Sequence, residues 1–219
     1  EETLRTWRIG YSTGHEVAGL WVPRGITLPW ISENVVQHVN VRLSARPTSQ
    51  KYQSVRGGHP HLFGADHIHL AGRRVVVLAE GELDALLLWQ EAGELVDVAS
   101  LGSASNKPNN STLWRLLPYH HILAAYDTDA AGEAGAAALM AYSARVRRIR
   151  PPVDPPGKDI TDAHMQGANL RPWIARDSAP ASTSFLQNGT SVSLESHPRR
   201  VFTLTGMDTV FFVACTSSA

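Results

Sequence analysis

Val75-Val76-Val77-Leu78-Ala79-Glu80-Gly81-Glu82-Leu83-Asp84 and, further along, His121-Ile122-Leu123-Ala124-Ala125-Tyr126-Asp127-Thr128-Asp129-Ala130-Ala131-Gly132 repeat one pattern, an apolar run that ends in acids and glycine. Apolar runs without polar alternation read as strands buried on both faces, the habit of parallel sheets. Helical stretches follow each run, over Glu82 to Ala92 and Ala130 to Tyr142, and Leu95 to Ser100 and Val146 to Ile149 read as further strands. Between them the sequence predicts a short helix over Leu113 to Leu117, opened by Ser111 or Thr112 as its cap. Alternating β and α elements predict an α/β fold, a parallel sheet with helices on both faces. Ligands of such sheets sit at the carboxyl ends of the strands, where both acidic clusters fall.

Upstream, Gly25 to Trp30 and the alternating Val35 to Arg42 suit short strands, and the polar, basic stretch from Arg46 to Pro60 reads as a loop or irregular hairpin. Residues 1–70 are therefore expected to form a small, mixed, β-rich subdomain, and residues 71–175 the α/β domain. A proline-rich break from Pro151 to Gly157 leads to Lys158-Asp159 and a short helix near Ile160 to Gln166. Residues 176–219 form a tail without a functional reading, in which Arg200 to Leu204 and Thr209 to Ala214 are candidate strands.

The 219 residues are 43% hydrophobic, an ordinary globular composition. The single cysteine, Cys215, excludes an internal disulfide and a cysteine-rich zinc site, and points to a reducing, cytoplasmic setting. No run approaches the roughly 20 apolar residues that cross a bilayer, so no membrane partner is expected. Twenty basic and twenty acidic residues cancel, but they are segregated. Arg42, Arg46, Lys51, Arg56, Arg73 and Arg74 face one acid, Asp66, whereas Glu80, Glu82, Asp84, Glu91, Glu94 and Asp97 follow at once. A basic surface beside an acidic site suits a metal-assisted enzyme acting on a polyanion.

Helix macrodipoles alone favour acids in first turns. Two clusters at equivalent topological positions argue for more, because carboxylates converging on one sheet edge repel each other until a cation relieves them. Hard oxygen donors select Mg²⁺ or Mn²⁺. Gly81 and Gly132 leave room for a close turn and for a phosphate.

Glu80-Gly81-Glu82-Leu83-Asp84-Ala85, then Asp127-Thr128-Asp129-Ala130-Ala131-Gly132, then Gly157-Lys158-Asp159, resembles the Toprim domain of bacterial-type and phage DNA primases, a Rossmann-like α/β fold. The resemblance implies catalytic and metal-binding roles for Glu80, Asp127 and Asp129, supported by Asp84. Lys158-Asp159 corresponds to the third acidic motif, with Asp162 as a competing candidate. Toprim domains also serve topoisomerases, nucleases and recombination proteins. The upstream region chooses among them: Val41-Arg42-Leu43, Gln50-Lys51-Tyr52-Gln53-Ser54 and His61-Leu62-Phe63-Gly64 are similar to the subdomain that precedes Toprim in primases.

That resemblance implies that Arg42, Lys51 and Tyr52, with Lys158, contact template or nucleotide phosphates. The expected activity is Mg²⁺- or Mn²⁺-dependent synthesis of short RNA primers from ribonucleoside triphosphates on a single-stranded DNA template, by a cytoplasmic, nucleoid-associated nucleotidyltransferase partnered by a replicative helicase. The family's proline before Lys-Tyr is Gln50 here, and its Cys-rich zinc module has no counterpart in these residues, so the sequence reads as an excised core or reduced relative. A Toprim nuclease and a non-catalytic nucleic-acid-binding module are the rival readings. The pairs His59/His61, His67/His69 and His120/His121 lack the spacing and cysteines of a zinc site. Trp30 and Trp114 are candidates for stacking a base.

Overall fold

The computed structural model describes residues 1–44, 50–69 and 72–178, which fall in one compact unit, Glu1–Ala181. After helix α1 (Glu2–Thr6) come strands β1 (Gly10–Ser12), β2 (His15–Val17), β3 (Leu20–Val22), β4 (Gly25–Ser32), β5 (Val35–Leu43) and β6 (Tyr52–Ser54). Four of them form an antiparallel sheet in the order β1-β4-β5-β6, and β2 and β3 pair as a separate hairpin. Alternation along β4 sends Leu28 and Trp30 into the core. The two residues between β4 and β5, Glu33 and Asn34, both take positive φ, and the carboxylate of Asp66 accepts both of their N–H groups at 2.7 and 2.8 Å. Within the stretch expected to be irregular, β6 pairs Tyr52 with Arg42. Three residues are too few for a periodic signal; β5 supplies the pairing.

The second half runs β7 (Val75–Ala79), α2 (Glu82–Ala92), β8 (Asp97–Ser100), α3 (Asn110–Leu116), β9 (His121–Ala125), α4 (Ala130–Met140), β10 (Val146–Arg148), α5 (Ile160–Met165) and α6 (Leu170–Ser178). Its four strands form a wholly parallel sheet in the order β10-β9-β7-β8. Successive side chains go to opposite faces. Val77, Ala79, Val98, Leu123 and Ala125 join one buried cluster with α2, α5, α6, Trp7, Leu28, Trp30 and Phe63. Val76, Leu78, Ala99, Ile122, Ala124 and Tyr126 join another with α3 and α4. This two-sided burial is why the strands read as continuous apolar runs. The chain leaves β7 for β8 on one side and then crosses to β9 on the other, so the topological switch point lies between β7 and β9.

The expected fold class is therefore present: a parallel sheet flanked by helices, preceded by an antiparallel β-rich part. Local details differ. The cap of α3 is Asn109, whose side chain accepts from the Thr112 N–H at 2.9 Å, in place of Ser111 or Thr112. Asn, Ser and Thr are near-equivalent caps, so the four successive candidates from Asn109 to Thr112 could not be ranked from composition. Helix α6 crosses the boundary drawn at residue 175, with Leu170, Trp173 and Ile174 buried against α2 and its neighbours. The candidate strands at 200–204 and 209–214 lie outside the described residues. No helix among the described residues is long and apolar enough to cross a membrane.

Helix α5 is tied to α2 by Asp84, whose Oδ1 accepts from the Thr161 hydroxyl at 2.7 Å and the Thr161 N–H at 3.1 Å. Burial outweighs these donors and lifts the Asp84 pKa from 3.8 to about 6. The folded chain thus holds a proton there that the unfolded chain has lost, so in metal-free buffer stability falls as pH rises from about 4 to 6. Asn keeps the accepting oxygen without the charge. Urea titrations of Asp84→Asn in chelator are expected to show a gain on the order of 1 kcal/mol above that window, vanishing below it. For the core, Leu123→Ala on the fully buried centre of β9 should cost about 2–5 kcal/mol by the same measurement.

Candidate metal and nucleotide site

Glu80 follows the last residue of β7, and Asp127 lies just beyond the end of β9, so the two flank the switch point. The Oε2 atom of Glu80 accepts the Asp127 N–H at 3.2 Å. Asp129 is the N-cap of α4 and accepts the Gly132 N–H at 2.9 Å. Gly132 is required by packing: a Cβ there would stand 2.2 Å from the Asp127 carbonyl oxygen. Asp127 and Asp129 each present Oδ2 to one ammonium, that of Lys158, at 2.8 and 2.6 Å.

Electrostatics separates these acids. Burial, reinforced by the charge of Asp127, pushes the Glu80 pKa up. Burial also raises Asp127, more than the Lys158 ammonium lowers it. The more exposed Asp129 is held below its usual range by Lys158 and by the Gly132 N–H. Lys158 is raised by both aspartates, so its charge is secure.

Behind Asp127, a residue that motif reading missed holds the turn. The Arg148 guanidinium donates to the carbonyl oxygens of Tyr126 at 2.7 Å, Asp127 at 2.7 Å and Ile149 at 2.9 Å, and to Glu133 at 2.9 Å. Its side chain is 8% exposed. Arg148 closes the weakly patterned strand β10, and nothing local marks it as different from Arg147 or Arg150.

A second missed residue joins the two halves. Glu82, only 1% exposed at the start of α2, accepts through Oε1 from Trp30 Nε1 at 3.2 Å and Asn40 Nδ2 at 2.8 Å, reaching β4 and β5. Glycine at 102 leaves room for this contact, since a Cβ there would meet the Trp30 ring at 2.7 Å. Trp30 is thus committed to the core and is no base-stacking platform, whereas Trp114 is 71% exposed.

Across the same junction, Tyr52 lies within reach of the charges of Glu82 and Asp84. Arg42 donates to the Tyr52 hydroxyl at 3.0 Å and lies over its ring at 5.0 Å. Burial raises the Tyr52 pKa, Arg42 lowers it, and the charges of Glu82 and Asp84 raise it further. Lys51 is exposed next to Tyr52. Asp159 is turned to its own helix as the N-cap of α5, accepting the Asp162 N–H at 2.6 Å, while Asp162 accepts the Lys158 N–H at 2.8 Å.

Among the described residues, no three His, Cys, Asp or Glu side chains gather closely enough to hold a metal ion. What the structure gathers is the Asp127/Asp129 pair, with Glu80 alongside on the Asp127 N–H and Asp84 and Asp159 engaged with Thr161 and α5. Two hard oxygens that already converge on one cation fit Mg²⁺, which takes one or two carboxylates and completes its shell with water and substrate phosphate.

Residues 77–164 match the family model described as Toprim-like. No curated protein matches the chain. Among solved structures, the primase fragment of the bacteriophage T7 primase-helicase protein shares the fold with a TM-score of 0.62 at 20% identity, over 81% of this chain and 69% of that one. The zinc-binding and RNA polymerase domains of Aquifex aeolicus primase give 0.59 at 19% identity, over 80% and 52%. The RNA polymerase domain of Mycobacterium tuberculosis primase, in complex with a double-stranded DNA oligomer with an overhang, gives 0.59 at 18%, over 80% and 69%. Residues 77–164 thus match a Toprim-like family, and the chain shares the fold of phage and bacterial DNA primase catalytic cores.

Proposed function

We propose that this chain is the catalytic core of a DNA primase, a nucleotidyltransferase that joins ribonucleotides on single-stranded DNA with Mg²⁺ or Mn²⁺. The observation that carries the reading is the convergence of Asp127 and Asp129 on one cation at the switch point. Asp127, Asp129 and Glu80 are the proposed holders of the metal, with Asp84 and Asp159 in support. When bound, the divalent ion would neutralise phosphoryl charge and ease deprotonation of the attacking 3′-hydroxyl.

The chain's own side chains do the rest. Asp129, with its lowered pKa, stays ionised at any working pH. Arg148 fixes the turn that aims Asp127, so that no reorganisation is needed as substrate arrives. Arg42, Lys51 and Lys158 neutralise template or triphosphate oxygens, Arg42 being preset by its contacts with Tyr52. Glu82 ties helix α2 to the strand that carries Arg42. Residues 1–70 would thus supply the template and nucleotide surface, and residues 71–175 the metal site. A cytoplasmic, nucleoid-associated setting and a replicative helicase as partner complete the reading; the T7 relative is a fragment of a primase-helicase protein.

Incubation with single-stranded DNA, labelled ribonucleotides and Mg²⁺ or Mn²⁺ should yield short labelled products. The double substitution Asp127→Ala, Asp129→Ala should cut the yield by about 10²-fold or more. Undiminished synthesis by that variant would sink the assignment, and metal-dependent loss of the DNA itself would make the chain a Toprim nuclease. Arg42→Ala should raise the KM for nucleotide or template and flatten the salt dependence of binding, the latter by about one unit of slope.

A further inference from the structure

Lys158 is anchored differently from an ordinary surface lysine. Its carbonyl oxygen accepts the Thr128 N–H at 2.8 Å and the Thr128 hydroxyl at 3.2 Å, and its own N–H donates to Asp162 Oδ2 at 2.8 Å. The backbone of residue 158 is therefore pinned to the residue that separates the two aspartates. Only the side chain is left to move, and it is 46% exposed even while it holds them.

We propose that Lys158 is the resident counter-cation of the metal-free site, and that the divalent ion displaces its ammonium from the two Oδ2 atoms, releasing it toward the phosphate of the incoming substrate. The inference rests on the metal-site reading of Asp127 and Asp129. Two cations compete for these oxygens. An ammonium 2.6 and 2.8 Å from them fills the space that Mg²⁺, bound at about 2.0–2.1 Å, would need, and the two charges repel.

Two consequences follow from this geometry. Without metal, Lys158 keeps paired carboxylates gathered that would otherwise push apart, so the site is assembled before loading. On loading, an unpaired ammonium appears within one side-chain length of the metal, where a metal-bound polyphosphate would lie. Metal and phosphate then share a common competitor, the Lys158–aspartate contact. Each weakens it for the other, which makes their binding mutually supportive.

Lys158 thus gathers the carboxylates before loading and meets phosphate after it, and metal affinity reads the first role directly. Calorimetric titration of Mn²⁺ into the intact chain would compare wild type with Lys158→Met, Lys158→Gln, the charge-keeping Lys158→Arg, and Asp127→Asn, Asp129→Asn. Removing the charge in Lys158→Met and Lys158→Gln is expected to tighten Mn²⁺ binding about fivefold or more, with Lys158→Arg near wild type. In chelator, both neutral variants should melt below wild type and show the larger rise in Tm on adding Mn²⁺. Mn²⁺ binding unchanged or weakened in both neutral variants, with binding lost in the double Asn variant, overturns the displacement and leaves the metal site standing. Mn²⁺ uptake that ignores the double Asn substitution, or none by any variant, overturns both.

Discussion

Carboxyl groups gathered at one edge of a parallel sheet repel one another, and the surrounding structure is organised around supplying countercharge to them. In front, Lys158 bridges Asp127 and Asp129. At the flanks, the N-termini of α4 and α5 turn their free N–H groups to Asp129 and Asp159. Behind, Arg148 gathers the backbone carbonyls of the turn and is itself neutralised by Glu133, which also binds Arg150. Glu80 and Asp127 still remain shifted upward by burial, so this compensation is incomplete. Charge left over at a switch point is what a divalent cation can relieve.

The antiparallel sheet is part of the same arrangement. Burying a carboxyl group without donors is costly, and Glu82 meets that cost with the indole N–H of Trp30 and the amide of Asn40, both borne by the other sheet. Moving that sheet away would take both donors from Glu82. The polar contact therefore fixes the register between helix α2 and strand β5, while the apolar contacts of Leu28, Trp30 and Phe63 supply the adhesion. Arg42 stands one alternation beyond Asn40 on β5 and shares its face, so whatever fixes Asn40 also sets where Arg42 points.

The parts of the fold that were legible in the sequence are those decided by short-range pattern. The run from Val75 to Ala79 and the helix from Glu82 to Ala92 have the bounds expected of them, because an apolar strand buried on both faces and a glycine-preceded helix leave no competing reading. The acidic motifs were legible for the same reason, standing directly after such strands. Asn109 as a cap was blurred by equivalent neighbours. Helix α6 was not anticipated, because its burial depends on α2, which lies far away in sequence. Arg148 and Glu82 were not legible at all. Their roles are long-range hydrogen bonds, and an arginine in a short strand or a glutamate in a first helical turn has an ordinary local explanation.

Lys158 shows why net charge was a poor guide to this chain. With twenty basic and twenty acidic residues, the formal sum is zero, which taken alone argues against a polyanionic partner. Charges separated by more than about 8–10 Å are largely screened at physiological ionic strength, so a phosphate meets the local arrangement and not the sum. Locally, Asp127 and Asp129 are partly matched by Lys158 and a helix N-terminus, while Arg42 leans on a neutral tyrosine and Lys51 stands exposed beside it. A formally neutral chain can in this way carry exposed positive charge on one sheet and gathered carboxyl groups at the strand ends of another.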